Sequence, residues 1–238
     1  MKHHLPNAIT LLNLFLGCCA LACVFYGQFV AVFWWVFAAI MADYADGMVA
    51  RLLGVQSSLG KELDSLADMV SFGVVPGAVY YTLLANHFYP EGASGLVYEA
   101  TPGFLVAVFS GLRLAKFNLD TRQATGFIGL PTPSSTIFTL GVMLIYTFDS
   151  FGLRFLVSAP AFLYGCVLAL SYLLVSEIPM FSLKFKSFAW KGNEIKFIFA
   201  AIALVLLFFI REASFSIVIL LYVLFSIFQH LTKRSHPI

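Results

Sequence analysis

The stretch MADYADGMVARLLGVQSSLGKELDSLADMVSFGVVPG, residues 41–77, carries four aspartates within or at the edges of two long apolar runs. They are Asp43, Asp46, Asp64 and Asp68. One aspartate at the centre of a membrane helix costs about 2.5–3.5 kcal/mol on insertion scales, and four neighbouring carboxylates also repel one another. A divalent cation would compensate for this charge. The stretch therefore predicts two neighbouring helices that share an acidic site.

The rest of the chain is apolar in runs long enough to cross a bilayer. Of its 238 residues 61% are hydrophobic and 11% are charged, whereas a soluble domain is about 45–50% apolar and about 25% charged. A spanning helix needs about 20 apolar residues. This composition excludes an ordinary soluble domain and a disordered chain, and it predicts an all-α, polytopic transmembrane helical bundle. The eight expected spans are 7–26, 29–51, 63–85, 102–118, 134–149, 155–175, 197–211 and 213–231.

Basic residues predict the orientation of the bundle. With the N-terminus in the cytoplasm, 12 of the 14 lysines and arginines lie at inner ends, and only Arg154 and Arg211 lie outside. Such a bias is typical of cytoplasmic loops. The connection 86–101 has no lysine or arginine and is expected outside, while the connection 176–196 has four lysines and is expected inside. We therefore predict an integral membrane protein with its N-terminus and acidic site on the cytoplasmic side. No basic cluster is dense enough to predict a nucleic-acid partner.

Helical spacing predicts that the four carboxylates converge. Asp46 falls within about 60° of Asp43 on one helix face, and Asp64 and Asp68 share a face of the next helix at i,i+4. The short connection between the helices makes them antiparallel neighbours, so the two acidic faces can meet. Oxygen ligands without histidine or cysteine fit Mg²⁺, Mn²⁺ or Ca²⁺ better than zinc.

Small and basic residues beside the aspartates suggest a ligand with phosphate groups. Gly47 and Ala50 leave room on the acidic face, and Arg51 lies one turn away, where it can pair with a phosphate. A purely structural explanation remains open, because buried aspartates and small residues can also join helices. In that explanation, Asp64 could pair with Lys61 at the membrane surface.

The same residues match a spaced pattern, D-x2-D-G-x2-A-R-x8-G-x3-D-x3-D. Its fixed positions are Asp43, Asp46, Gly47, Ala50, Arg51, Gly60, Asp64 and Asp68. The pattern resembles the signature of the CDP-alcohol phosphotransferases, integral membrane enzymes that make phospholipids. Eight fixed positions make it far more specific than most short motifs. The resemblance covers roughly residues 5–180.

The resemblance implies a six-helix catalytic core over residues 1–180, with 181–238 as a C-terminal extension of two further spans. It implies that the four aspartates hold two divalent cations, Mg²⁺ or Mn²⁺ with Ca²⁺ possible, and that Asp68 is also the general base. The residues implied in binding CDP-diacylglycerol are Asn7, Thr10, Gly47, Ala50, Arg51 and Ser57. For Asn7 and Thr10, capping of the first helix is an equal alternative.

Two further stretches resemble the branch of this family that uses serine. They are LDSLADMVSFGVVPG at 63–77 and GLRLAKFNLDTRQATGFIGLPTP at 111–133. The implied activity is transfer of a phosphatidyl group from CDP-diacylglycerol to L-serine, giving phosphatidylserine and CMP, by a homodimer in the lipid bilayer. Related synthases that use inositol or glycerol 3-phosphate remain an alternative. A cation-coupled membrane transporter is the alternative from another class, although no inverted repeat is visible.

The second of these stretches also offers groups that could bind the acceptor. Serine is a zwitterion, so its site needs a cation for the carboxylate and acceptors for the ammonium group. Arg113, Lys116 and Arg122 can supply the cations, and Asn118 and Asp120 can supply acceptors. The alternative is that these charges only set the topology of the inner membrane face.

Overall fold

Apolar helices dominate the computed structural model, which describes residues 4–55, 57–120, 127–180 and 193–234. The described residues form ten α-helices and one short antiparallel strand pair. The helices are α1 His4–Phe25, α2 Phe29–Leu53, α3 Ser58–Asp68, α4 Val75–Phe88, α5 Leu105–Leu119, α6 Thr132–Phe148, α7 Arg154–Val157, α8 Pro160–Val175, α9 Glu194–Ile210 and α10 Ser214–Arg234.

Several of these helices can cross a membrane by length and composition. In the described part of the chain, four segments qualify: His4–Phe25, Phe29–Leu53, Ser58–Phe88 and Lys196–Gln229. The last includes the turn between α9 and α10, and α6 and α8 are shorter apolar helices. The predicted helical membrane bundle is therefore confirmed, and the protein is an integral membrane protein.

The third predicted span differs from 63–85 at both ends and in its middle. It begins at Ser58, because the Ser57 hydroxyl accepts a hydrogen bond from the Gly60 amide at 3.0 Å and caps the helix before its apolar part starts. A π-helical turn, Met69–Val74, joins α3 to α4. Hydropathy locates only the apolar part of such a helix, so the polar first turns were missed.

The fourth and sixth predicted spans are also less regular than expected. A 3-10 helix, Tyr98–Phe104, leads into α5. The span predicted at 155–175 is divided into α7 and α8, because Pro160 begins a new helix and holds Ala159 in an extended conformation (φ −67°, ψ 128°). A residue before proline disfavours the α region, so the chain bends where hydropathy alone shows a continuous run.

Close contacts between helices occur where side chains are small. Helix α1 packs against α2 and also against the continuous helix Ser58–Phe88. A Cβ atom at Gly73 would lie 3.1 Å from Cβ of Ser110, and one at Gly77 would lie 3.3 Å from Cβ of Ala107. Small residues of this kind allow membrane helices to approach closely, and here they bring the helix that carries Asp64 and Asp68 against α5.

The loops gather at two opposite ends of the bundle. At one end the Arg154 guanidinium donates to the carbonyl of Tyr146 at 2.8 Å, and the Ser150 hydroxyl donates to Glu212 at 3.2 Å. At the other end Phe127–Ile128 pairs antiparallel with Pro179–Met180. Two groups of loops at opposite ends are what we expect if successive loops alternate between the two faces of a membrane. Which end faces the cytoplasm stays a prediction.

The C-terminal helices form an antiparallel hairpin that packs on the core. The ring of Phe199 in α9 lies 6.1 Å from that of Tyr222 and 6.5 Å from that of Phe225 in α10. The Ser216 hydroxyl donates to the carbonyl of Phe138 in α6 at 2.8 Å. A Cβ atom at Gly141 would lie only 2.5 Å from the backbone nitrogen of Ser216. Glycine at this position therefore allows α10 to pack directly on α6.

We expect Gly141→Ala to weaken this packing and to lower the thermal unfolding temperature of the purified protein in detergent. Overpacking of this kind costs about 1–3 kcal/mol. The matched control is Gly165→Ala in α8, where an added Cβ would meet no atom within 4 Å, so this variant should be neutral or slightly stabilising. Equal unfolding temperatures for the two variants would contradict the proposed role of Gly141.

Candidate functional site

Three of the four predicted carboxylates converge between α2 and α3. One carboxylate oxygen from each of Asp43, Asp64 and Asp68 lies within 4.8 Å of the other two, and all three residues are half-buried. Two unit charges 4 Å apart near a protein surface repel by about 4 kcal/mol. The three carboxylates therefore form a strongly negative site that a cation would stabilise.

The fourth carboxylate, Asp46, is held beside this group by α1. It is buried, with 6% of its surface exposed, and it accepts a hydrogen bond of 2.6 Å from the Thr10 hydroxyl. The same hydroxyl lies 3.1 Å from the carbonyl of Pro6. Because one hydroxyl has one hydrogen, the shorter contact to the charged group is the stronger bond. Thr10 thus fixes the orientation of Asp46.

The chemistry of these groups fits a hard divalent cation. Asp43, Asp64 and Asp68 supply only carboxylate oxygens, and Asp46 adds another beside them. Oxygen ligands of this kind suit Mg²⁺, Mn²⁺ or Ca²⁺ rather than metals that prefer nitrogen or sulfur. These four residues are the ones that could hold such an ion.

A cavity of about 490 Å³ opens beside the carboxylates. This volume lies within the range of small-molecule sites, about 300–1,000 Å³. It is lined by Pro6, Asn7, Thr10, Asp46, Gly47, Ala50, Val55, Ser57, Ser58, Gly60, Lys61 and Asp64. Five of the six residues predicted to bind the CDP-linked lipid are in this lining. The cavity therefore joins the starts of α1 and α3 to the end of α2.

Arg51, the sixth predicted residue, is exposed and lies outside that lining. Its guanidinium lies over Gly47, where an added Cβ would come 3.3 Å from one of the guanidinium nitrogens. At Gly60 an added Cβ would come 3.1 Å from Oδ1 of Asn7 and the hydroxyl oxygen of Ser57. Small residues at these two positions thus leave room for the polar groups that surround the cavity.

The predicted acceptor residues lie on α5 and beyond it. Arg113 is buried, with its guanidinium 5.6 Å from the centre of the Phe117 ring. Within the described residues, its Nε has no hydrogen-bond partner. Arg113, Lys116, Asp120 and Glu177 take part in lining a second cavity of about 40 Å³.

Asn118 is hydrogen-bonded to α3. Its side-chain amide donates to the Ser65 hydroxyl at 2.8 Å, and its backbone carbonyl accepts a hydrogen bond of 3.0 Å from Lys61. These bonds join the end of α5 to α3. Arg122, the remaining predicted acceptor residue, lies outside the described residues.

Sequence reasoning missed three polar residues of the site. Lys61 lines the larger cavity, Asn13 donates to Asp68 at 3.4 Å, and Ser71 donates to Asn13 at 2.8 Å. A signal for Asn13 existed, because it is a polar residue in an apolar run and lies three positions after Thr10 on the same helix face. Ser71 gave no comparable signal.

The sequence of this chain is similar to a known family model and to several named proteins. A family model described as CDP-alcohol phosphatidyltransferase matches residues 3–177. A Helicobacter pylori (strain J99) protein named CDP-diacylglycerol--serine O-phosphatidyltransferase is 34% identical over 230 residues, covering 94% of this chain and 90% of the relative. A Bacillus subtilis (strain 168) protein of the same name is 31% identical over 176 residues, covering 74% and 89%.

The extent of these matches differs at the C-terminus. The family match ends at residue 177, before α9 begins. The Helicobacter pylori match covers 94% of this chain, which is more than residues 1–180 can supply. That relative is therefore also similar to part of the C-terminal region of this chain. This similarity extends past about residue 180, where the predicted resemblance to the family ends.

We expect Thr10→Val to weaken cation binding, because Asp46 would lose the hydrogen bond that orients it. A hydrogen bond to a charged group is worth about 1.5–3 kcal/mol, or about ten- to a hundred-fold in affinity. The measurement is the Mg²⁺ or Mn²⁺ concentration that gives half-maximal thermal stabilisation of the purified protein. Thr10→Ser keeps the hydroxyl and is the control. Equal cation affinity in Thr10→Val and Thr10→Ser would contradict this role.

Proposed function

This chain belongs to the CDP-alcohol phosphatidyltransferase family, and on that premise we propose that it transfers a phosphatidyl group from CDP-diacylglycerol to L-serine, giving phosphatidylserine and CMP. It is thus an enzyme of phospholipid synthesis in the membrane. The observation that carries the proposal is the group of three carboxylates within 4.8 Å of one another beside a cavity of about 490 Å³. This arrangement suits a pyrophosphate-linked substrate that binds together with cations.

The family depends on divalent cations, and the carboxylates fit such ions. We assign two cations, Mg²⁺ or Mn²⁺ with Ca²⁺ as the alternative, to Asp43, Asp46, Asp64 and Asp68. When bound, the cations would neutralise the pyrophosphate and stabilise CMP as the leaving group. The Thr10 hydroxyl supports this assignment, because it keeps Asp46 beside the other three carboxylates.

The nucleotide part of CDP-diacylglycerol is assigned to the larger cavity. Asn7, Thr10 and Ser57 supply polar groups there, while Gly47 and Ala50 supply space. The Arg51 guanidinium lies over Gly47 and can pair with a phosphate at the edge of the cavity. Lys61 adds a second cation to the lining. This combination of small, polar and basic groups suits a nucleotide with a charged pyrophosphate.

Asp68 is assigned as the general base. It would accept the proton of the serine hydroxyl while that oxygen forms its bond to the lipid-side phosphorus, and the bond from that phosphorus to the CMP oxygen would break. Water must be excluded from this step, because hydrolysis to phosphatidic acid competes. The half-buried position of Asp68, among the converging carboxylates, supports the assignment.

Arg113 is the best-supported candidate for binding the acceptor. Buried polar atoms normally have hydrogen-bond partners, and the guanidinium of Arg113 has an unpaired Nε within the described part of the chain. A carboxylate or phosphate would satisfy it. Lys116 lines the same small cavity. Roles for Asn118 and Arg122 in binding the acceptor stay predictions, since the Asn118 amide is engaged with Ser65.

The remaining parts of the proposal concern the setting of the enzyme. We propose that the N-terminus and the active site face the cytoplasm, on the basis of the distribution of lysine and arginine. We also propose a homodimer, on the basis of the family resemblance. The division into a core over 1–180 and an extension over 181–238 is proposed on the same basis. A cation-coupled transporter has no specific observation in its favour.

The test of the acceptor uses the purified protein in detergent with CDP-diacylglycerol and serine, inositol or glycerol 3-phosphate supplied separately. We expect CMP release to depend on serine, to stop after chelation and to return with Mg²⁺ or Mn²⁺. Release that requires inositol or glycerol 3-phosphate instead would overturn the acceptor. Release that survives exhaustive chelation would overturn the cation site. Failure with all three acceptors would favour the transporter, which needs two compartments.

We expect Asp68→Asn to lower turnover far more than it lowers binding of CDP-diacylglycerol. Loss of a general base costs about 10²- to 10⁴-fold in rate, while the other carboxylates still hold part of the cation site. Asp43→Asn is the comparison, since loss of a cation ligand alone should be partly restored at high cation concentration. Near-normal turnover of Asp68→Asn at any pH would remove Asp68 from the role of base.

A further inference from the structure

Asn13 is a fully buried polar residue in the apolar first helix. Its side-chain nitrogen donates to Oδ1 of Asp68 at 3.4 Å. Thr10, one turn earlier on the same helix, donates to Asp46 at 2.6 Å. Helix α1 therefore offers one donor to the acidic face of α2 and another to that of α3. The bond to Asp68 is long by the usual range of 2.7–3.2 Å, as catalytic hydrogen bonds often are before substrate binds.

The Ser71 hydroxyl binds the side of the Asn13 amide that faces away from Asp68. An ionised carboxylate only accepts hydrogen bonds, so the amide nitrogen must face Asp68 and the amide oxygen must face away from it. That oxygen accepts a hydrogen bond of 2.8 Å from the Ser71 hydroxyl, which also lies 3.1 Å from the Asn13 backbone carbonyl. Ser71 is itself fully buried. The three side chains thus form one directed chain, from Ser71 through Asn13 to Asp68.

The backbone around Ser71 is shaped to bring this hydroxyl against α1. Ser71 lies in the π-helical turn Met69–Val74, directly after Asp68, and such turns are frequent at functional sites. A side chain at Gly17 would collide with the Ser71 hydroxyl. The carbonyl of Phe72, within the turn, accepts a hydrogen bond of 3.0 Å from the Thr136 hydroxyl of α6. Contacts from two helices therefore support the turn.

We propose that Asn13 is a positioning residue for Asp68, and that Ser71 acts through it. By holding Oδ1 of Asp68, the amide leaves the second carboxylate oxygen for the cation and for the acceptor hydroxyl. This role rests on the proposed function of Asp68. A packing residue in an apolar helix would need no amide, whereas this amide has a partner on each side. Outer partners of metal ligands commonly contribute about 10- to 100-fold in metal affinity or activity.

The test is a double-mutant cycle with Asn13→Ala, Ser71→Ala and the double variant, in the purified protein. Three quantities are measured: Mn²⁺ affinity by electron paramagnetic resonance, and the kcat and KM of serine-dependent CMP release. We expect Asn13→Ala to lower Mn²⁺ affinity or kcat by about ten-fold or more and to leave KM for CDP-diacylglycerol near its original value. Because Ser71 acts through Asn13, the double variant should be no worse than Asn13→Ala.

Ser171→Ala is the matched control, since this buried hydroxyl in α8 has no hydrogen-bond partner among the described residues. Unchanged Mn²⁺ affinity and kcat in Asn13→Ala would overturn the proposal, and so would losses that simply add in the double variant. If Asn13→Ala does not fold, Ser71→Ala tests the proposal instead. Mn²⁺ affinity and kcat equal to those of Ser171→Ala would then overturn the proposal. If the unmodified protein releases no CMP with serine, the proposed function fails while Mn²⁺ affinity still tests Asn13.

Discussion

Repulsion among four neighbouring carboxylates is the constraint on which the other features of this structure depend. Bound cations and hydrogen-bond donors would offset this negative charge. Helix α1 supplies two such donors, Thr10 and Asn13. The small residues Gly47 and Gly60 then leave space for polar groups rather than for apolar packing.

Spacing within single helices made much of the site predictable. The separation of Asp64 and Asp68 by four residues predicts a shared face. Their convergence with Asp43 depends in addition on α1, which packs against both α2 and α3. In the cavity lining, Gly47 and Ala50 follow from their spacing beside the aspartates of α2, whereas Asn7, Thr10 and Ser57 were expected from the family resemblance alone. Arg51 was also predicted to bind CDP-diacylglycerol but does not line the cavity. It has a long side chain, and residue spacing does not determine where such a side chain points.

Features that depend on contacts between distant segments were not predictable. The pairing of Asn13 with Ser71 joins residues 58 positions apart, and hydropathy treats both as minor interruptions of apolar runs. The engagement of Asn118 with Ser65 is similar, because a helix end rich in polar residues looks the same whether it binds a ligand or a neighbouring helix. The helix break at Ala159 is indicated locally by Pro160. The length of the surrounding apolar run instead predicts one continuous span.

The π-helical turn after Asp68 changes which residues share a face along the helix Ser58–Phe88. A π-turn holds one residue more than an α-turn, so the acidic half and the apolar half of Ser58–Phe88 are out of phase by about 100° compared with a regular helix. Regularising the turn at its present length would rotate Asp64 and Asp68 relative to the half that packs on α5. An insertion or deletion in Met69–Val74 could therefore disable the site without altering any aspartate. The phase of this helix is set by how many residues the turn contains as well as by which residues they are.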